Sequence, residues 1–221
     1  MRLLYINPNS TASMTDGIVA VARATLPGVE VIGWTNTDGP PAIQGPQDGE
    51  AAIAGLLALL PAAKAALVDA IIIACFDDTG LAQMRHGAHC PVIGIGQAAF
   101  HTAALLGHRF SVVTTLDVSV PVIMANIATY GLLGQCARVR ASGLAVLEVE
   151  AALAPTVARL SAELSESAGQ DDVTAAILGC AGMAPLRDQL QAETDLLLID
   201  GVASSAALAV ALAHIAKPDR V

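Results

Sequence analysis

The chain is short of aromatic rings, cations and cysteine. Only 3% of its 221 residues are Phe, Trp or Tyr, so any core must be built from aliphatic side chains. Lys and Arg number 11 against 20 Asp and Glu, a formal charge of −9. A surface so poor in cations cannot neutralise a phosphate backbone, which excludes nucleic acid as the expected partner. Four cysteines without a CxxC or CxxH pair exclude a disulfide framework and a zinc ribbon. Long apolar runs are missing too: the most hydrophobic region, "AIAGLLALLPAAKAALVDAIIIACF", is broken by Pro61, Lys64 and Asp69, so no membrane-length span and no membrane partner are expected. The chain opens on "MRLLYI", with one Arg and no cleavable apolar segment, which predicts a cytoplasmic protein.

What remains is aliphatic and rich in small residues. The apolar fraction is 54% and the mean hydropathy +0.61, enough for a substantial core and suggestive of a homo-oligomer. Short apolar runs bounded by turn residues predict strands at 2–7, 29–34, 70–75, 91–95, 109–115, 137–142, 174–180 and 195–200. Ala- and Leu-rich segments at 11–26, 47–66, 97–107, 118–131, 148–167 and 202–216 read as helices. Strands alternating with helices imply βαβ units and parallel sheets, an α/β fold.

The two halves of the chain repeat one another. Cys75 and Cys180 each end a strand-like run and lie 180 − 75 = 105 residues apart. Gly96 and Gly201 are separated by the same 201 − 96 = 105, and each opens an alanine-rich helix. "RLLYINPNS" from Arg2 pairs with "RFSVVTTLD" from Arg109 at an offset of 107. These landmarks predict a duplicated α/β unit, with residues 1–100 plus 205–221 as one half and 101–204 as the other. Ligands of open α/β sheets sit at the carboxyl ends of the strands, so a pseudo-dyad can turn both thiols toward one small-molecule substrate in a shared cleft.

A thiol on each face of a carbon acid can move a proton across a stereocentre. One, as thiolate, removes the α-proton and the other delivers a proton to the opposite face. Both cysteines precede predicted helix starts, whose dipoles and donors are expected to lower a thiol pKa toward neutrality. A hydantoin-like ring delocalises the resulting carbanion into its own carbonyl, so no cofactor is required. Backbone N–H groups at Phe76, Asp77, Ala181 and Gly182, with Asn7, Asn9, Ser10, Thr114 and Thr115, are candidate donors to the enolate oxygen. Cys90 and Cys136 have no counterpart at the repeat offset and read as structural.

"YINPNS", "GPPAIQGPQD", "ACFDDTGL", "PVIGI", "VVTT" and "GCAGM" together resemble the aspartate/glutamate/hydantoin racemase superfamily, and within it the hydantoin and allantoin racemase branch. The resemblance spans nearly the whole chain. It implies two flavodoxin-like halves, each a mainly parallel four-stranded sheet flanked by helices, enclosing the site. It also implies Cys75 and Cys180 as acid and base without metal or cofactor, with the "NPNS" loop, Ile43, Gly45, Thr114 and Thr115 lining the pocket. Relatives near the hydantoin racemases carry Gly-Asp-Pro after the Cys-Phe, whereas this chain has Asp77-Asp78-Thr79. An added acid beside the thiol is expected to disfavour an anionic substrate or to raise the Cys75 pKa.

Other readings compete. "GIGQAA" at 94–99 satisfies a dinucleotide fingerprint, with Asp117 as its ribose-binding acid, but it leaves the paired cysteines unexplained. "HGAHC" at 86–90 has metal-ligating residue types and reads better as a solvated loop. A non-catalytic binding protein would use the same cleft. Within the superfamily, aspartate or glutamate racemisation, maleate-type isomerisation and arylmalonate-type decarboxylation are alternatives. The first two share the thiol pair, whereas decarboxylation needs only one thiol.

Overall fold

A computed structural model describes residues 1–216, so 217–221, the end of the segment assigned above to the first half, lie outside the described residues. The strands are β1 Arg2–Asn7, β2 Glu30–Thr35, β3 Ala70–Ile73, β4 Val92–Gly94, β5 Phe110–Thr114, β6 Cys136–Ala141, β7 Ala175–Gly179 and β8 Leu197–Asp200. The helices are α1 Ala12–Thr25, α2 Pro46–Ala58, α3 Leu60–Ala65, α4 Leu81–Gly87, α5 Ile95–Leu105, α6 Val120–Thr129, α7 Val146–Ala151, α8 Ala154–Gln170, α9 Arg187–Gln191 and α10 Gly201–Ala216. Single 3₁₀ segments occupy Asp117–Ser119 and Ala181–Leu186.

The strands form two four-stranded sheets, β2-β1-β3-β4 and β6-β5-β7-β8, in which every pairing is parallel. The second order is the first shifted by one complete unit, as duplication requires. We call the first sheet with its crossovers the first half and the second sheet with its crossovers the second half.

Of the inner strands, β3, β5 and β7 are β-branched or small at nearly every position and β1 carries Leu3, Leu4, Tyr5 and Ile6, all buried, because both faces of a parallel sheet are covered. Alternate residues divide between two cores. On β1 and β3, Leu3, Tyr5 and Ile72 face one core, while Leu4, Ile6, Ile71 and Ile73 face another beneath α2 and α4. On β5 and β7, Phe110, Val112 and Ile177 join the first of these cores, and Val113 and Leu178 face a third beneath α8. One core therefore runs through both halves, and each half keeps a smaller core of its own. All three phenylalanines meet within the shared core: Phe76 stands edge-on to Phe100 at 5.3 Å and Phe100 stacks with Phe110 at 6.0 Å.

Two expected helices are divided. The segment 47–66 breaks between α2 and α3, where Pro61 in the first turn of α3 has no N–H to continue the ladder. The segment 148–167 breaks at Ala152, which is left-handed with φ 51°, ahead of Pro155 in the first turn of α8. The last helix, α10, packs against α1, α5 and β3, and the buried Tyr5 hydroxyl donates to the Val202 carbonyl at 3.1 Å. Gly201 permits this approach: a Cβ there would lie 2.5 Å from the Ile95 carbonyl oxygen.

Candidate active site

Because each sheet is parallel, all its strands end on one edge, and the two edges face a common cavity. From the first half, the loop after β3 contributes Ala74, Cys75, Phe76 and Asp77, and the loop after β1 contributes Asn9. From the second half come Thr114 and Thr115 at the end of β5, with Gly179, Cys180 and Ala181 at the end of β7. Ile43 closes one side of the cavity. The two cysteines predicted from the repeat thus open onto one space, close enough for a charge on Cys180 to act on Cys75.

Both thiols are harder to ionise than a free cysteine, contrary to the lowering expected from the helix starts. Burial pushes Cys75 up and the neighbouring Asp77 carboxylate pushes it further, against a hydroxyl bond from Thr79 at 3.4 Å and the Asp77 N–H. Burial likewise raises Cys180, to about 11, against N–H donors from Gly182 and Met183. Desolvation of a thiolate outweighs a few aligned N–H groups, and α4 begins only at Leu81, too far along the chain to cap Cys75. Asp77 is itself raised to about 6 by burial, opposed by a bond from Ser119.

Several predicted contacts have other employment. Asn7 does not line the cavity; its fully buried amide donates to Asn9 Oδ1 at 2.8 Å and to Thr15 Oγ1 at 3.1 Å, bracing the loop. Ser10 also lies outside the lining, its N–H tied to the Pro40 carbonyl at 2.9 Å. Gly45 lines an adjoining pocket instead and caps α2. Its φ of 111° and a hypothetical Cβ only 2.7 Å from Val118 Cγ2 leave room for glycine alone. The Asp77 and Gly182 N–H groups, expected to face an enolate, point at the sulfurs instead, and Gly182 is not part of the lining. Thr114 spends its hydroxyl proton on the Gly179 carbonyl at 2.9 Å.

Met14 from α1, Val146 from α7 and Ser119 from the 3₁₀ turn complete the wall unforeseen. The first two carry no chemical signal in the sequence. Ser119 could have been suspected, since it follows the "VVTT" strand end by a few residues.

The chain matches the Asp/Glu/Hydantoin racemase family over residues 3–209. It is 41% identical to the hydantoin racemase of Rhizobium meliloti over 213 residues, covering 96% of this chain and 88% of that one. This chain belongs to the Asp/Glu/hydantoin racemase family. As a family member it is an isomerase, a racemase of this superfamily. Among solved structures, the allantoin racemase from Klebsiella pneumoniae superposes with a TM-score of 0.92 at 35% identity, covering 97% of this chain and 88% of that one. The allantoin racemase from Pseudomonas fluorescens gives 0.89 at 32% identity, covering 100% and 99%.

The dinucleotide fingerprint resolves differently in this racemase. Gly94 ends β4 and Gly96 lies in the first turn of α5, as in a nucleotide-binding turn. The donors there are already taken: the Asp78 carboxylate accepts the Gly96 N–H at 3.0 Å and the Gln97 N–H at 2.8 Å. A Cβ on Gly94 would fall 1.9 Å from Asp78 Oδ1, and one on Gly96 2.3 Å from the Phe76 carbonyl oxygen. The glycines admit an internal carboxylate, not a pyrophosphate. The Tyr130 hydroxyl donates to the same carboxylate at 2.8 Å from the end of α6. Burial raises Asp78 to about 7 against these donors. Asp117, the supposed ribose ligand, is exposed.

Among the described residues, no helix is long and apolar enough to cross a membrane.

Proposed function

We propose that the protein racemises a small cyclic amide, a substituted hydantoin or allantoin, by proton transfer between Cys75 and Cys180. The observation that carries this reading is the opening of both thiols, one from each half, onto the same cavity. In one direction the Cys75 thiolate takes the α-proton, and the C–H electron pair moves into the adjacent carbonyl as an enolate. The Cys180 thiol then protonates the opposite face, leaving Cys75 as thiol and Cys180 as thiolate. The other enantiomer runs the steps in reverse. The Phe76 and Ala181 backbone and the Thr115 hydroxyl stand at the cavity as candidate partners for ring carbonyls and N–H groups.

The substrate class draws support from the relatives named as hydantoin and allantoin racemases and from the lining, which contains no Arg or Lys. An aspartate, glutamate or maleate substrate would bring two carboxylates into a space whose one formal charge is the Asp77 carboxylate, an unfavourable pairing.

The test is loss of optical rotation with substituted hydantoins, allantoin, aspartate and glutamate, run in deuterated water to follow α-exchange. Racemisation of the cyclic amides alone is expected. Cys75→Ser and Cys180→Ser should each lower it by about two to four orders of magnitude, while each retains exchange from a single enantiomer. Racemisation at the wild-type rate in both single variants would refute the mechanism.

A further inference from the structure

The thiol cavity has a neighbouring pocket across Asp77. Asp77 and Ile43 border this second pocket as well, and it runs on between Pro46, Gly49 and Ile53 of α2 and Val122 of α6. Apart from Asp77, Asp78 and Thr79, this pocket is lined by apolar residues and glycine, a place for a flexible substituent rather than a polar ring. Asp77 stands at the junction with acceptor capacity to spare. Among the described residues, the one side-chain hydrogen bond to its carboxylate comes from Ser119 Oγ at 3.5 Å, the outer limit for such a bond. The neighbouring Asp78 is, by contrast, engaged by two N–H groups and a phenol.

No cation lines either space. The start of α2, which borders the second pocket, is poorly suited to an anion: Pro46 lacks an N–H, and the Asp48 carboxylate occupies the first turn, bonded to the Gln44 N–H at 2.9 Å.

Resting on the reaction class above, we propose that Asp77 is a specificity-determining residue: the second pocket receives the substituent on the reacting carbon, and Asp77 selects substituents bearing a cationic group. A partly desolvated carboxylate at the junction attracts an ammonium or guanidinium and repels a carboxylate. The methylene stem spans from the reacting carbon to that junction past the apolar Ile43, which borders both spaces. At about pH 8 the Asp77 carboxylate is ionised, its pKa having been pushed up only to about 6.

The test compares three hydantoins substituted on the reacting carbon, with aminopropyl, butyl and carboxyethyl groups, in wild type and Asp77→Asn at about pH 8. For wild type, kcat/KM should rank cation, then neutral, then anion, with about tenfold or more between the extremes and most of it in KM. In Asp77→Asn the cation-to-anion ratio should shrink to within about twofold. A wild-type ratio near unity, or one unchanged by the substitution, overturns the proposal. A second measurement needs no turnover: labelling of Cys75 and Cys180 by aminoethyl and sulfonatoethyl methanethiosulfonates, resolved by peptide mass spectrometry. The cationic reagent should react faster in wild type, and Asp77→Asn should erase the difference. If no hydantoin is racemised the reaction class fails, and the labelling ratio alone then upholds or overturns the role of Asp77.

Discussion

At Cys75 and Cys180 the cost of taking a thiolate out of water exceeds what the donors around each sulfur return. Burial pushes Cys180 up to about 11 and raises Cys75 further, so at neutral pH the thiolate the proposed mechanism needs is a small fraction of the protein. That fraction grows about tenfold per pH unit below the pKa, and kcat/KM should climb with nearly that slope from about pH 7 to about pH 10. Asp77 raises both thiols by its charge. Asp77→Asn removes that charge, lowers both thiol pKa values and should move the ascending limb toward acid, read from the pH profile of a neutral substrate. The pairing of the two cysteines was legible because the 105-residue offset is a one-dimensional property. Their pKa direction was not, because a helix start can be inferred locally whereas burial depends on everything packed around the sulfur.

Among the elements, α5 depends most visibly on a distant residue. Its first N–H groups are met by Asp78, eighteen and nineteen positions earlier, and Asp78 holds a left-handed φ of 50° to reach them. Its folded pKa, about 7, is raised above the ordinary carboxylate value of 3.8. The stability it contributes is therefore full below that ordinary value and is lost as pH rises through about 7. Compared with Asp78→Asn in urea melts, wild type should lose on the order of 3 kcal/mol of relative stability from about pH 4 to about pH 7. The motif "GIGQAA" looked like a cofactor turn because the glycine spacing of a close backbone approach is the same whichever group approaches. The identity of that group is absent from the motif.

Across the whole molecule, the shared core fuses the halves and a few polar bonds cross between their loops. Asn126 on α6 donates to the Asp77 carbonyl at 2.9 Å, and the Val146 N–H donates to Gln44 Oε1 at 3.1 Å. Removing the first by Asn126→Ala should cost about 1 kcal/mol of stability. It should also raise KM more than it lowers kcat, since the loop that carries Cys75 and Asp77 loses a brace to the opposite half. Thermal melts and steady-state kinetics check the two effects. An unchanged KM would mean that the cleft is held by the shared core alone.

Alternating apolar and small segments, the breaks between them and the spacing of one half against the other were enough, without coordinates, to determine two parallel α/β units and a cysteine at the same strand end in each. Such features repeat along the chain and follow from local propensity and periodicity. Tertiary packing alone decided that Asn7 braces the loop instead of lining the cavity. It also decided that Met14, Val146 and Ser119 form part of the wall, and that Asp78 fills a turn a nucleotide would need. Each of these depends on which remote atoms a side chain meets and on how much water that meeting removes, quantities set only when the two sheets close on one another.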